Sequence, residues 1–254
     1  TDLFYKEDQI RKPIVIFIHG YKGYKDWGCW NLVADEFAKN NIFFVKFNFS
    51  HNGGTINNPI DFSDLEAFGN NNFSKELDDL DTVINWLLDF SEIQNEADKN
   101  NITLIGHSRG GGIVTIKASE DTRIKKLITW AGVSDFETRF PTGKILEMWK
   151  KNGVSYIENS RTKQQMPHYY QFYEDFIKNK HRLSIQKATE KIKIPYLIIH
   201  GTADKTVPYH EAENLKKWST NSLLYTIKKA NHTFDSKQPW NEDWLPEDLA
   251  KVVE

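Results

Sequence analysis

The sequence predicts one α/β domain in which a mostly parallel central sheet is flanked by helices, with an inserted cap. Three observations predict it. Short, continuously apolar runs rich in β-branched and aromatic residues alternate with longer stretches of helical periodicity, the pattern of buried strands joined by helices. The chain has 254 residues, of which 39% are hydrophobic and 27% charged, enough to bury one large core. The alternation stops only between Gly132 and Lys193, a stretch far longer than an ordinary connection.

Taken in order, Ile14 to Ile18 reads as a buried strand, followed by a glycine-containing loop and a helix from Trp30 to Lys39. Phe43 to Phe49 reads as the next strand. Between Ser74 and Phe90 the apolar residues Leu77, Leu80, Val83, Ile84, Leu87 and Leu88 recur at three- and four-residue steps, an amphipathic helix with Ser74 as its expected N-cap. Strands at 102–105 and 127–130 enclose a helix at 110–119. After Pro195, a strand at 196–199, a helix at 211–218 and a strand at 223–227 complete the pattern.

The interrupted stretch is polar and rich in large aromatics, so the organisation expected is a core of residues 1–133 and 192–254 with residues 134–191 inserted as a cap or lid. Net charge is −2, which argues against a nucleic-acid or anionic-lipid partner. Cys29 is the only cysteine, so neither an intrachain disulfide nor a cysteine-based metal site is expected. No apolar run reaches the length of a membrane span, and Thr1 to Lys6 lack the layout of a signal peptide. Cytoplasm is the expected location, with a leader removed ahead of Thr1 left open.

The chemistry is carried by Gly106-His107-Ser108-Arg109-Gly110, a G-x-S-x-G pentapeptide between a strand and a glycine-rich helix start. In that context a tight strand-to-helix turn presents the serine hydroxyl at the top of the sheet. A serine hydroxyl needs a general base, and the base needs a third group to hold its tautomer. Asp204 follows the strand at 196–199 and His232 follows the strand at 223–227, so nucleophile, acid and base occur in the order this architecture uses. Asp135 is a rival acid, with a helix cap as its alternative role. The oxyanion donors expected are the backbone N–H groups of Arg109 and of Tyr21, with Lys22 second to Tyr21.

His19-Gly20, the Ser108 pentapeptide, His200-Gly201-Thr202-Ala203-Asp204 and Asn231-His232 together resemble the α/β-hydrolase superfamily. The chain is most similar to its small esterases, the cinnamoyl/feruloyl esterases and dienelactone-hydrolase-like proteins, over nearly everything from Ile14 onward. The resemblance implies hydrolysis of a small-molecule carboxylic ester through an acyl-enzyme, without metal or organic cofactor, under a cap. Two departures stand out: Arg109 sits where many relatives have an uncharged residue, and Ser108 stands where dienelactone hydrolases proper use cysteine. Only thirteen residues precede the first core strand, so fewer than eight strands are expected.

Trp149, Tyr169, Tyr170, Phe172 and Tyr173, all in the insertion, are pocket candidates for an apolar or aromatic acyl group. His19 and His107 are expected to hold backbone geometry, and His51, His168, His181, His200 and His210 have no partner at a recognisable spacing. His210-Glu211 opens like a zinc-protease motif, but Asn214 stands at the second ligand position. A peptidase or amidase using the same three residues, and a non-catalytic ligand-binding scaffold, remain the alternatives.

Overall fold

A computed structural model describes all residues 1–254. Along the chain, β1 (Asp2–Phe4) is followed by β2 (Lys12–Ile18), α1 (Trp30–Lys39), β3 (Phe43–Lys46), α2 (Leu65–Gly69), α3 (Phe73–Asp89), β4 (Ala97–His107), α4 (Arg109–Glu120) and β5 (Ile124–Trp130). Then come α5 (Gly143–Asn152), β6 (Val154–Glu158), β7 (Gln165–Tyr169), α6 (Gln171–Asn179) and α7 (Ile185–Lys191). The last elements are β8 (Tyr196–Gly201), α8 (His210–Trp218), β9 (Ser222–Ile227) and α9 (Glu247–Val253).

Seven strands form one sheet in the order β1-β3-β2-β4-β5-β8-β9, with β1 antiparallel and every other pair parallel. β2 shows why its run is continuously apolar. Ile14, Ile16 and Ile18 enter the core on one face of the sheet, while Val15 and Phe17 enter a second cluster on the other, as the two-residue period of a strand requires. Helices cover both faces, and every residue of β2 from Ile14 to Ile18 is buried.

Several expectations are corrected at their edges. β1 carries no readable pattern in three residues; pairing with β3 holds it, together with the Asp2 carboxylate, which accepts from Lys25 and the fully buried Lys46. The strand expected to reach Phe49 ends at Lys46, although Phe47 and Phe49 remain buried in the following loop. The N-cap of α3 is Asn72, whose side-chain oxygen accepts from Lys75 N–H at 2.9 Å, and not Ser74.

Residues 134–191 divide by their packing. α5, the β6–β7 hairpin and α6 stand over the carboxyl ends of the strands, with α2 against β7 and α3 against α6. α7 instead lies on α4 as the crossover helix leading to β8, with Ile185, Ala188 and Ile192 in the sheet's own core. The expected cap boundary at residue 191 therefore includes one helix that packs with the core. No helix is long and apolar enough to cross a membrane.

Candidate active site

Four loops leave the carboxyl ends of β2, β4, β8 and β9 on the same side of the sheet. Ser108 follows β4 directly and adopts φ 58° and ψ −120°, a conformation that turns the chain from strand to helix within one residue. Glycines make room for it. A Cβ at Gly106 would lie 2.3 Å from Gly110 O, and one at Gly110 would lie 2.5 Å from Ile18 O, so side chains at either position would force β2, β4 and α4 apart. Gly20 abuts the turn, since its Cβ would lie 2.8 Å from that of Ser108.

Ser108 Oγ is 3.0 Å from His232 Nε2, and His232 Nδ1 is 2.8 Å from Asp204 Oδ2. Asp204 is fixed from its other oxygen, which accepts from the N–H groups of Thr206 and Val207. Burial alone would raise its pKa, but hydrogen bonds from His200 and His232 outweigh burial and hold the carboxyl well below the usual range. Asp204 therefore stays ionised and fixes Nδ1 of His232 as the donor, leaving Nε2 to accept from the serine hydroxyl.

The neighbouring histidines have structural partners. His107 donates to the backbone oxygen of His232 at 2.9 Å, and burial with the nearby His232 pushes it down to about 3. His19 donates to Gly20 O, and burial pushes it down to about 4. His200 Nε2 is 2.8 Å from Val207 O and 3.3 Å from Asp204 Oδ2, bracing the loop that carries Asp204. Asp135 uses both carboxylate oxygens on the N–H groups of Glu137 and Thr138, the capping role. The N–H groups of Tyr21, Lys22 and Arg109 make no hydrogen bond within the protein.

Ser108 opens into a cavity of about 570 Å³, within the range of small-molecule sites. Of the five aromatic candidates, Trp149 and Phe172 line it and Tyr169, Tyr170 and Tyr173 do not. Tyr169 turns outward to Glu66, while Tyr170 and Tyr173 pack behind Trp149. The walls come instead from Phe73, Phe136 and Phe140, with Tyr21 and His168 also in the lining beside Ser108. The Tyr21 hydroxyl and His168 Nε2 share a hydrogen bond of 2.6 Å. Burial, reinforced by Arg109 and Lys22, pushes His168 down to about 3, so its ring is neutral. Sequence reading missed Phe73, Phe136, Phe140 and His168. The Phe73 and Phe136 rings stack at 3.8 Å although they lie 63 positions apart in the chain, a separation at which no local signal connects them.

The strand order, the turn at Ser108 and the three loops that meet there define an α/β-hydrolase fold. The family model described as BD-FAE matches residues 1–219, and the chain belongs to that family. His232 lies beyond the matched part. The chain is 24% identical to monoacylglycerol lipase ABHD6 of Rattus norvegicus, over 90% of this chain and 72% of the relative. Among solved structures it is similar to Est1E from Butyrivibrio proteoclasticus with ferulic acid bound, at a TM-score of 0.69 and 18% identity, covering 99% of this chain and 90% of that one. A monoacylglycerol lipase from Paleococcus ferrophilus superposes with a TM-score of 0.67 at 16% identity, covering 100% and 97% of the two chains. At such identities the superpositions establish the fold.

Proposed function

We propose that the protein hydrolyses small-molecule carboxylic esters through an acyl-enzyme, with Ser108 as nucleophile, His232 as general base and Asp204 as the acid that orients it. The observation that carries this reading is the continuous line from Ser108 Oγ through His232 to a buried, doubly anchored Asp204. Ser108 attacks the ester carbonyl as His232 takes its proton, and Asp204 stabilises the imidazolium that forms. The Arg109 and Tyr21 N–H groups receive the oxyanion; both are free of protein acceptors, and Gly20 carries Tyr21 up to the serine. His232 then protonates the leaving alcohol, and water attacks the acyl-enzyme by the reverse route.

The aromatic walls suit an apolar or aromatic acyl group, including a cinnamoyl type, and Est1E has been solved with ferulic acid bound. Residues 134–180 roof the cavity and act as the cap. The test is hydrolysis of p-nitrophenyl esters of increasing acyl length and of methyl ferulate by wild type and Ser108→Ala. Wild-type turnover that falls by about 10⁴-fold or more in the variant is the expected result. Turnover that survives the substitution sinks the proposal. Matched amide substrates, cleaved as fast as the esters, would move the assignment to a peptidase.

A further inference from the structure

The charged groups that face the cavity are both guanidiniums. Arg109 and Arg139 line it, and no carboxylate does. Arg139 stands at the more exposed end and is engaged by Glu211 and by the carbonyl of Thr206. Arg109 stands deeper. Its guanidinium carbon lies 4.3 Å from the centre of the Tyr21 ring, 5.4 Å from that of Phe73 and 5.3 Å from that of Phe172. These rings shelter the cation from water and restrict its motion.

The partner of Arg109 is Glu76, which is only 2% exposed and lies behind the guanidinium, outside the cavity lining. A single contact joins them, Nη1 to Oε1 at 3.3 Å. Arginine has five N–H donors in a planar fork, so the remaining donors of Arg109 have no protein acceptor. An apolar cavity with a caged, under-used guanidinium and no anion of its own is the environment in which a charge-assisted bond to a ligand is strongest.

We propose that the acyl group of the substrate ends in a carboxylate and that Arg109 is the residue that selects it. The proposal rests on the esterase reading of Ser108. The acyl side is assigned because Arg109 stands among the buried Phe73 and Phe172, whereas Ile145 and Ile157, also in the lining, are 65% and 46% exposed and mark the mouth. The acyl group stays bonded to Ser108 while the alcohol leaves, so the enclosed end belongs to the acyl group and the open end to the alcohol. The walls would then contact the methylene or aromatic body of the acid, and the Arg109 fork its far carboxylate.

The test pairs p-nitrophenyl half-esters of the straight diacids from succinate to suberate with p-nitrophenyl esters of the monoacids of equal carbon number. Each pair differs by a terminal carboxylate against a methyl group. At the best-fitting length, wild type should favour the half-ester in kcat/KM by about tenfold or more, the usual worth of a hydrogen bond to a charged group. In Arg109→Met that ratio should fall below one; reading a ratio within each variant cancels any disturbance of the oxyanion site. A wild type that hydrolyses the monoacid esters at least as well at every length overturns the proposal and leaves the esterase reading intact. A ratio unchanged in Arg109→Met also overturns it.

A second measurement is independent of turnover. Calorimetric titration of Ser108→Ala with the monomethyl half-esters and the methyl monoesters should show tighter binding of the half-ester, lost in the Ser108→Ala, Arg109→Met double variant. Binding of this kind in a protein that hydrolyses no ester supports the carboxylate site and removes the esterase assignment. Equal binding of both series counts against the site whatever the kinetics show.

Discussion

Ser108 holds a backbone conformation, φ 58° and ψ −120°, that a residue with a Cβ adopts only under constraint, at a cost of about 1–3 kcal/mol. The constraint is the close approach of β2, β4 and α4 that Gly106 and Gly110 permit. Ser108→Gly and Ser108→Ala both remove the hydroxyl, but only glycine relieves the strain. The glycine variant should therefore be the more stable by about 1 kcal/mol, and equal denaturant midpoints for the two would remove the strain argument. Protonation gives a second expectation at this scale. His19, His107 and His168 are held neutral with folded pKa values of about 4, 3 and 3. Unfolded, each titrates near its ordinary value of about 6.5. The unfolded chain thus binds more protons below that value, and stability should fall as pH drops from about 6.5 toward 4. Asp204, depressed in the fold, adds a loss of the same sign once pH passes below the ordinary carboxylate value. A midpoint that stays flat between pH 7 and 5 would contradict the neutral assignment. Which single residues were legible follows from how locally each is specified. Ser108, Asp204 and His232 each follow a readable strand, whereas His168 faces Tyr21 and Tyr169 faces away only because of how a hairpin lies on α2, which no spacing encodes.

At the level of elements, the strand ends matter more than the strands. β8 and β9 deliver Asp204 and His232, and their loops touch where Ala230 O accepts from Ala203 N–H at 3.0 Å. A Cβ at Gly201 would lie 2.2 Å from that same oxygen. Gly201→Ala should therefore cost about 1–3 kcal/mol of stability and, on the proposed roles, lower turnover, because the carbonyl that must move ties the Asp204 loop to the His232 loop. Full activity with an unchanged melting temperature would show that the two loops are set independently. The long parallel strands and α3 were readable because burial on one or both faces imposes a period. β1, α2 and α9 were not, since elements of three to seven residues hold too few positions to show one; tertiary partners such as the Asp2 to Lys46 pair hold β1 instead.

Across the whole molecule, one apolar cluster runs without a break from β2 and β4 into Phe136, Phe140, Trp149, Phe172 and Phe176. The roof of the cavity is thus part of the core and not a separately folded lid. Thermal unfolding should show a single transition, and Phe172→Ala, which removes a ring packed against Phe73 and Phe140, should reduce stability by about 3–5 kcal/mol without splitting that transition. Two resolved transitions would separate roof from core. The continuity of this cluster was not legible in the sequence, because the aromatic insertion shows neither strand nor helix period strongly enough to say which rings turn inward.

The excursion from β5 to β8 leaves and re-enters the sheet at neighbouring strands, with Trp130 paired to Ile199 and Leu127 to Tyr196. A detour whose two ends meet at adjacent strands can lengthen, shorten or change its content without altering the register of any pair beneath it. The roof is in that sense an exchangeable cassette. A lineage, or an engineer, that kept α7 and the inward phenylalanines could redraw the chamber above Ser108 and leave the reacting atoms where they stand.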